Sequence, residues 1–128
     1  MTYEIGKRFR FSASHQLPGL REGHPCSRLH GHNYTVEVVI GTDALVTPGF
    51  VTDFAELAPL KEHIDSALDH RHLNDVLSVP PTSENLAAHL AHWFTENVGP
   101  GIPGRLLRVR VSETDTSWAE FTIEVPPR

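Results

Sequence analysis

Cysteine is almost absent from this chain: of its 128 residues, only Cys26 carries a thiol. No internal disulfide can form, which suits a reducing compartment, although an exported protein with one thiol would show the same composition. Long apolar runs are missing as well. No stretch approaches the roughly 20 residues of a membrane-spanning helix, and the opening Met1-Thr2-Tyr3-Glu4-Ile5-Gly6 has no apolar signal segment. A soluble cytoplasmic protein with no membrane contact is expected. Positive charge is in deficit, with 11 Lys and Arg against 16 Asp and Glu and a formal charge of −5. That balance argues against a generic nucleic-acid surface but leaves room for a local basic pocket that takes a phosphorylated small molecule. Repeats, low-complexity tracts and linkers are lacking too, and the Pro/Gly-rich stretches at 79–81 and 99–104 read as connections. Residues 1–128 are therefore expected to form one domain, large enough to bury roughly two thirds of its unfolded surface.

Histidine, by contrast, is abundant, with nine residues. His30-Gly31-His32 has the spacing that puts two imidazoles on one face of a strand, about two strand rises apart. From Tyr3 the sequence alternates, with Ile5, Phe9 and Phe11 on one side and Glu4, Arg8, Arg10 and Ser12 on the other, broken only by Lys7. Continuing that parity carries His15 onto the apolar face. A second strand runs from about His30 to Ile40. If the two pair antiparallel, the end of the first lies beside the start of the second, and His15 approaches His30 and His32. Three neutral imidazoles without a committed fourth ligand form the pattern of a catalytic zinc site with one open position.

The remaining elements read from their signals. Asp53-Phe54-Ala55-Glu56 could be a capping box for a helix to about Leu68, with Phe54, Leu57, Leu60, Ile64 and Leu68 as its apolar stripe. Pro59 is awkward inside such a helix, so the helix could start near Ala58 instead. A second helix should start at Thr82 or Ser83 and bury Leu86, Leu90, Trp93 and Phe94 before Gly99. The last third alternates again: Leu107, Val109, Val111 and Glu113 oppose Leu106, Arg108, Arg110 and Ser112. After the turn Thr114-Asp115-Thr116, Ala119, Phe121, Ile123 and Val125 resume the parity of a hairpin. The order ββααββ predicts an α+β fold, a four-stranded antiparallel sheet with both helices on one face. Its two open edges favour pairing between subunits.

Three groups are candidates to complete the site. Cys26, in the long loop from Gln16 to Leu29, could be a thiolate base or nucleophile beside the metal, or a fourth ligand closing a structural site. Asp69-His70 could be a carboxylate-oriented acid or base, or simply a cap and surface pair at a helix end. Glu113 ends an apolar strand face, where a carboxylate is either solvated or paired with a donor such as a 2-amino-pyrimidinone edge. His24 and His72 could line the site. His63, His89 and His92 fall on predicted helices and read as surface residues.

These residues also carry a resemblance. Phe11-Ser12-Ala13-Ser14-His15, Glu22-Gly23-His24-Pro25-Cys26-Ser27-Arg28-Leu29-His30-Gly31-His32, Asp53-Phe54-Ala55-Glu56-Leu57, Leu68-Asp69-His70, Leu73-Asn74, Pro81-Thr82-Ser83-Glu84-Asn85-Leu86 and Glu113-Thr114 resemble, in this order, the 6-pyruvoyltetrahydropterin synthase family. The similarity is greatest to its bacterial 6-carboxytetrahydropterin synthase branch, of the queuosine and 7-deazapurine pathway. The resemblance implies the tunnelling fold, assembled as trimers that pair into homohexamers with the sheets joined into a barrel. It implies that His15, His30 and His32 hold zinc, that Cys26 is the proton-abstracting catalyst, and that Asp69 and His70 are a relay reaching the site from a neighbouring subunit. Glu113 would anchor the pterin ring.

The implied substrate is 7,8-dihydroneopterin triphosphate, whose side-chain oxygens zinc would polarise as a Lewis acid. In the carboxy branch triphosphate and acetaldehyde leave and 6-carboxytetrahydropterin remains. The alternatives are the pyruvoyl branch, which stops after triphosphate elimination, and a non-catalytic pterin- or zinc-binding relative. A folate-linked branch with a glutamate catalyst is disfavoured, because Ser27, Arg28 and Leu29 occupy that neighbourhood here.

Overall fold

Alternation from the first residues onward produces two long strands, β1 (Tyr3–His15) and β2 (His30–Thr42). In this computed structural model, which describes residues 2–123, the two pair antiparallel along their whole length. Phe9 lies opposite Val36, Phe11 opposite Tyr34 and His15 opposite His30. The side chains of Phe9, Phe11, Ala13 and His15 on β1, and of Tyr34, Val36, Val38 and Ile40 on β2, are buried on one face. The other face carries Arg8, Arg10, Ser12 and Glu37, with Arg8 donating to Glu37 at 2.7 Å.

Between β2 and the last hairpin come α1 (Ala58–Ala67), a short strand β3 (Arg71–His72), the single turn α2 (Leu73–Val76) and α3 (Ser83–Asn97). Asp53 caps a short 3-10 turn, Phe54–Leu57, its carboxylate accepting from the Ala55 N–H at 2.9 Å. α1 then begins at Ala58 with Pro59 in its first turn, where a missing N–H leaves no bond unmade. The proline thus starts the helix instead of breaking it. Phe54, expected at the head of the apolar stripe, stays 49% exposed because the tighter turn before α1 rotates it out of line with Leu57, Leu60, Ile64 and Leu68, which are fully buried. α3 starts where the sequence places it, with Thr82 Oγ1 accepting from the Asn85 N–H at 3.1 Å. It buries Leu86, Leu90 and Phe94 against β4 (Arg105–Thr114) and β5 (Ser117–Thr122). Truncating a fully buried Phe such as Phe94 costs about 3–5 kcal/mol. None of the helices among the described residues is long and apolar enough to cross a membrane.

The sheet order is β3-β1-β2-β4-β5. The expected four antiparallel strands are there, and β3 adds a fifth in parallel, pairing Arg71 and His72 with Ala13 and Ser14. Two residues are too few to show a period, so alternation could not announce this strand. Parity also fails at two bulges on β4. The register against β2 shifts so that Ile40 faces Leu106 and Val39 faces Arg108, which leaves Leu107 as the extra residue. Leu106, not Leu107, therefore enters the core. Leu107 packs over Gly41, where a Cβ would come within 2.7 Å of its Cδ1. A second shift against β5, between Ser112 and Thr114, leaves Glu113 unpaired. Val125, assigned to the last strand by parity, lies outside the described residues.

Candidate metal centre and its surroundings

The register that pairs His15 with His30 and Ala13 with His32 gathers three imidazoles at one end of the buried face. Ring centroids of His15, His30 and His32 stand 4.4–5.0 Å apart. One nitrogen from each lies within 4.8 Å of the others. A tetrahedral ion with bonds of about 2.0–2.1 Å holds its ligands roughly 3.4 Å apart, so one ion can be reached by all three with small adjustments.

Tautomers decide what this cluster can hold. His15 is fully buried, and its Nδ1 is 2.8 Å from the Pro81 carbonyl oxygen. His30 Nδ1 is 2.6 Å from the carbonyl of Arg28. A carbonyl only accepts, so both Nδ1 atoms carry the proton and donate it, and in the neutral form of each ring Nε2 is bare. Those two Nε2 atoms face each other at 2.8 Å. Two lone pairs repel at that distance unless the nitrogens share a proton or both bind one metal ion. The Nε2 of His32 is buried with no hydrogen-bond partner. Burial holds the pKa of His32 below its usual value despite the opposing pull of Glu113, with His15 and His30 adding to the depression. Two imidazoles with Nδ1 fixed by a carbonyl, and a third whose buried Nε2 has no partner, form the donor set of a transition-metal site. These residues fit zinc.

Glu113 reaches the cluster through its bulge, with Oε2 3.8 Å from His32 Nε2. It also lines a cavity of about 270 Å³ with Leu17, Thr82 and Ser83. Burial first, and then the Glu113 charge, push the phenol pKa of Tyr34 upward, so Tyr34 stays protonated beside His15. The alternating pattern places Glu113 at the end of the face, but the bulge that turns it from the ladder has no sequence signature.

Asp69 and His70 follow α1. Asp69 Oδ1 accepts from the Ser12 N–H at 2.9 Å and Oδ2 lies 3.0 Å from His70 Nδ1. The Ser12 N–H is the main cause of a lowered Asp69 pKa, reinforced by His70 against a smaller desolvation effect. His70 has φ of +59°, a left-handed position that costs a non-glycine residue about 1–2 kcal/mol. A side chain kept at such a position is a pointer to function. With Nδ1 engaged by Asp69, the other nitrogen is available to move a proton. The His70 side chain is 83% exposed. With His32 and His72 it lines an open cavity of about 620 Å³, where Ser14 Oγ and His72 Nδ1 are 3.0 Å apart.

Cys26 sits half-buried in a single 3-10 turn, Pro25–Ser27. Its N–H donates to His24 Nδ1 at 3.0 Å, and Leu17 N–H donates to its carbonyl at 3.0 Å. Among the described residues the group of mutually close ligand atoms comprises the three histidines without Cys26. His24, expected as a lining residue, holds the turn that carries the thiol.

His63, His89 and His92, read from the sequence as surface residues, are not all free in water. His63 stacks on Trp93 with centroids 3.9 Å apart and planes 10° from parallel. Its Nε2 is buried without a partner, and burial lowers the pKa of both His63 and His89. The stack joins a residue of α1 to one of α3, so no single helix displays it.

The fold is, by class, of the tunnelling-fold type, and its sheet end carries two tautomer-fixed histidines, a third with a free buried nitrogen, a nearby carboxylate and an Asp–His pair, a set that could hold a metal ion. Comparison with known proteins carries this further. The sequence profile of the 6-pyruvoyl tetrahydropterin synthase family matches residues 4–124. A Synechocystis sp. protein named 6-carboxy-5,6,7,8-tetrahydropterin synthase is 42% identical over 123 residues, covering 91% of each chain. The Homo sapiens 6-pyruvoyl tetrahydrobiopterin synthase is 33% identical over 130 residues, covering 89% of this chain and 87% of the human protein. The Caenorhabditis elegans 6-pyruvoyl tetrahydropterin synthase structure superposes with a TM-score of 0.84 at 24% identity and covers 97% of each chain, a likeness of fold. The chain belongs to the 6-pyruvoyl tetrahydropterin synthase family.

Proposed function

We propose that this protein is a zinc-dependent 6-carboxy-5,6,7,8-tetrahydropterin synthase, a lyase acting on 7,8-dihydroneopterin triphosphate with release of acetaldehyde and triphosphate. Its similarity to the Synechocystis protein of that name supports the reading. The observation that carries it is the pair of Nδ1–H bonds to Pro81 and Arg28, which turn the Nε2 atoms of His15 and His30 toward His32.

His15, His30 and His32 would hold zinc, which when bound supplies Lewis-acid polarisation of oxygens on the substrate side chain. The Glu113 carboxylate accepts the paired N–H donors of the pterin's 2-amino-pyrimidinone edge, fixing the ring beside the cluster. Cys26 Sγ, as thiolate, takes the proton from a C–H bond of the pterin substituent. His70 Nε2 gives or takes the partner proton while Asp69 keeps Nδ1–H in place. The family resemblance implies that Asp69 and His70 serve the site of a second copy of the chain, and the exposure of the His70 ring leaves it free to do so. β5 at one edge of the sheet and the two-residue β3 at the other leave backbone groups open to such pairing. A homohexamer built as a dimer of trimers is the assembly the family resemblance implies, and a chain with one thiol suits the cytoplasm.

Zinc-loaded protein incubated with 7,8-dihydroneopterin triphosphate is expected to yield acetaldehyde and 6-carboxytetrahydropterin by mass spectrometry. Pyruvoyltetrahydropterin would instead assign the pyruvoyl branch, glycolaldehyde the folate-linked one. Bound but unconverted substrate would make the protein a binding module.

A further inference from the structure

The role of Leu73-Asn74, at the start of α2, is not accounted for by the metal, the thiol or the Asp–His pair. Asn74 Oδ1 accepts from the Gln16 N–H at 2.9 Å, and Asn74 Nδ2 donates to the Gln16 carbonyl at 2.7 Å. The side-chain amide therefore takes both main-chain groups of one residue, as a neighbouring strand would. Gln16 directly follows the buried ligand His15. The next residue, Leu17, donates its N–H to the Cys26 carbonyl. An unbroken path thus runs from Asn74 through Gln16 and Leu17 to the turn that carries the thiol.

The same segment is tied to β1 along its length. His70 N–H donates to the Ser12 carbonyl and Asp69 accepts from the Ser12 N–H. Arg71 and His72 pair with Ala13 and Ser14. Asn74 continues this lacing past the end of β1 by side chain alone, at the point where regular strand pairing stops and the loop Gln16 to Leu29 begins.

We propose that Asn74 is a positioning residue for Cys26: it fixes the root of the loop so that the thiol is presented at a set place relative to the histidine cluster. The proposal rests on Cys26 being the proton-abstracting group. Only Asn or Gln supplies an acceptor and two donors on one planar group, and Asn has the shorter reach seen here. Asn74→Ala removes both bonds. Asn74→Asp keeps the bond from the Gln16 N–H and loses the one to its carbonyl.

The test measures zinc content, the rate at which iodoacetamide alkylates Cys26 across pH, and steady-state kinetics, on the zinc-loaded full-length protein. Asn74→Ala is expected to keep its zinc, to alkylate several-fold faster as the loop loosens, and to lose about 10- to 100-fold in kcat with KM little changed, the pattern of a displaced reacting group. Asn74→Asp should fall between Ala and the parent, and it carries the test if the Ala variant does not fold. Amide hydrogen exchange at Leu17 should quicken in the same order. Alkylation and Leu17 exchange indistinguishable from the parent in Asn74→Asp, or loss of zinc in parallel with activity, would overturn the proposal. If the parent turns over no pterin while alkylation and exchange still respond to Asn74, Asn74 fixes the loop but the enzymatic reading, and with it the catalytic sense of the positioning, fails.

Discussion

Two histidine clusters lie in this protein, and they differ in what the backbone does to them. At the end of β1 and β2, the Nδ1 atoms of His15 and His30 are claimed by carbonyl oxygens, so lone pairs converge on one point. Between α1 and α3, His63 lies flat on Trp93 with His89 beyond it at 6.4 Å, and the rings serve as packing. Both clusters contain a buried Nε2 without a partner, and burial lowers pKa values in both. Imidazole density and a depressed pKa therefore do not distinguish a metal centre from a packing seam. Convergent, tautomer-fixed nitrogens do.

The sharpest way to break the contrast is to remove a ligand from the first cluster. His30→Ala is expected to abolish stoichiometric zinc binding, measured by elemental analysis, and with it all turnover. Zinc retained at one equivalent would move the metal elsewhere, to the helical cluster above all. Next in size is Cys26→Ala: full zinc content with turnover lowered about 10³- to 10⁴-fold, the scale lost with a nucleophilic or proton-abstracting group. Loss of zinc with the thiol would make Cys26 a ligand. Asp69→Asn keeps an acceptor for the Ser12 N–H but turns an N–H donor toward His70 Nδ1 or forces the ring to flip. A fall of about 10²- to 10³-fold in kcat with unchanged zinc and melting temperature is expected from the wrong tautomer.

The smallest effect belongs to the helical seam. His63→Phe preserves a ring against Trp93 and should alter stability at pH 7.5 by less than about 1 kcal/mol, with zinc content unaffected. Its signature is in acid. The folded-state pKa of His63 lies below 6.5, so the unfolded protein takes up a proton first as pH falls. The seam's contribution is whole above pH 6.5 and is lost as pH drops through the lower folded value. Melting curves between pH 7.5 and 5 should decline less steeply for His63→Phe than for the parent. His89 and, without metal, His32 carry shifts of the same sign, so the slope shrinks without vanishing.

Much of this arrangement is legible in the residues. Alternation, broken only at Lys7 in β1, carries β1 and β2 to the correct faces and brings three distant histidines together, because a period of two leaves no freedom once one face is buried. Thr82 and Asp53 announce their turns by capping chemistry. What alternation hides is whatever depends on an inserted residue or on a partner far along the sequence. Leu107 and Glu113 are moved by bulges, β3 is too short to have a period, and the acceptors of His15 and His30 are backbone carbonyls of Pro81 and Arg28, which any residue could supply. The stack of His63 on Trp93 needs two helices, so it cannot be read from either. Within the site, the three histidines follow from parity and Glu113 from its place at the end of a strand face, whereas its bulge, the contacts of Asn74 with Gln16 and the capping by His24 emerge only from the folded chain.

The most direct test of the metal assignment is X-ray absorption at the zinc edge of fully loaded parent protein. A shell of three imidazole nitrogens completed by oxygen, at one zinc per protomer and unchanged in Cys26→Ala, is the expected result. A sulfur scatterer at about 2.3 Å would contradict it, because Cys26 would then close the site instead of working beside it.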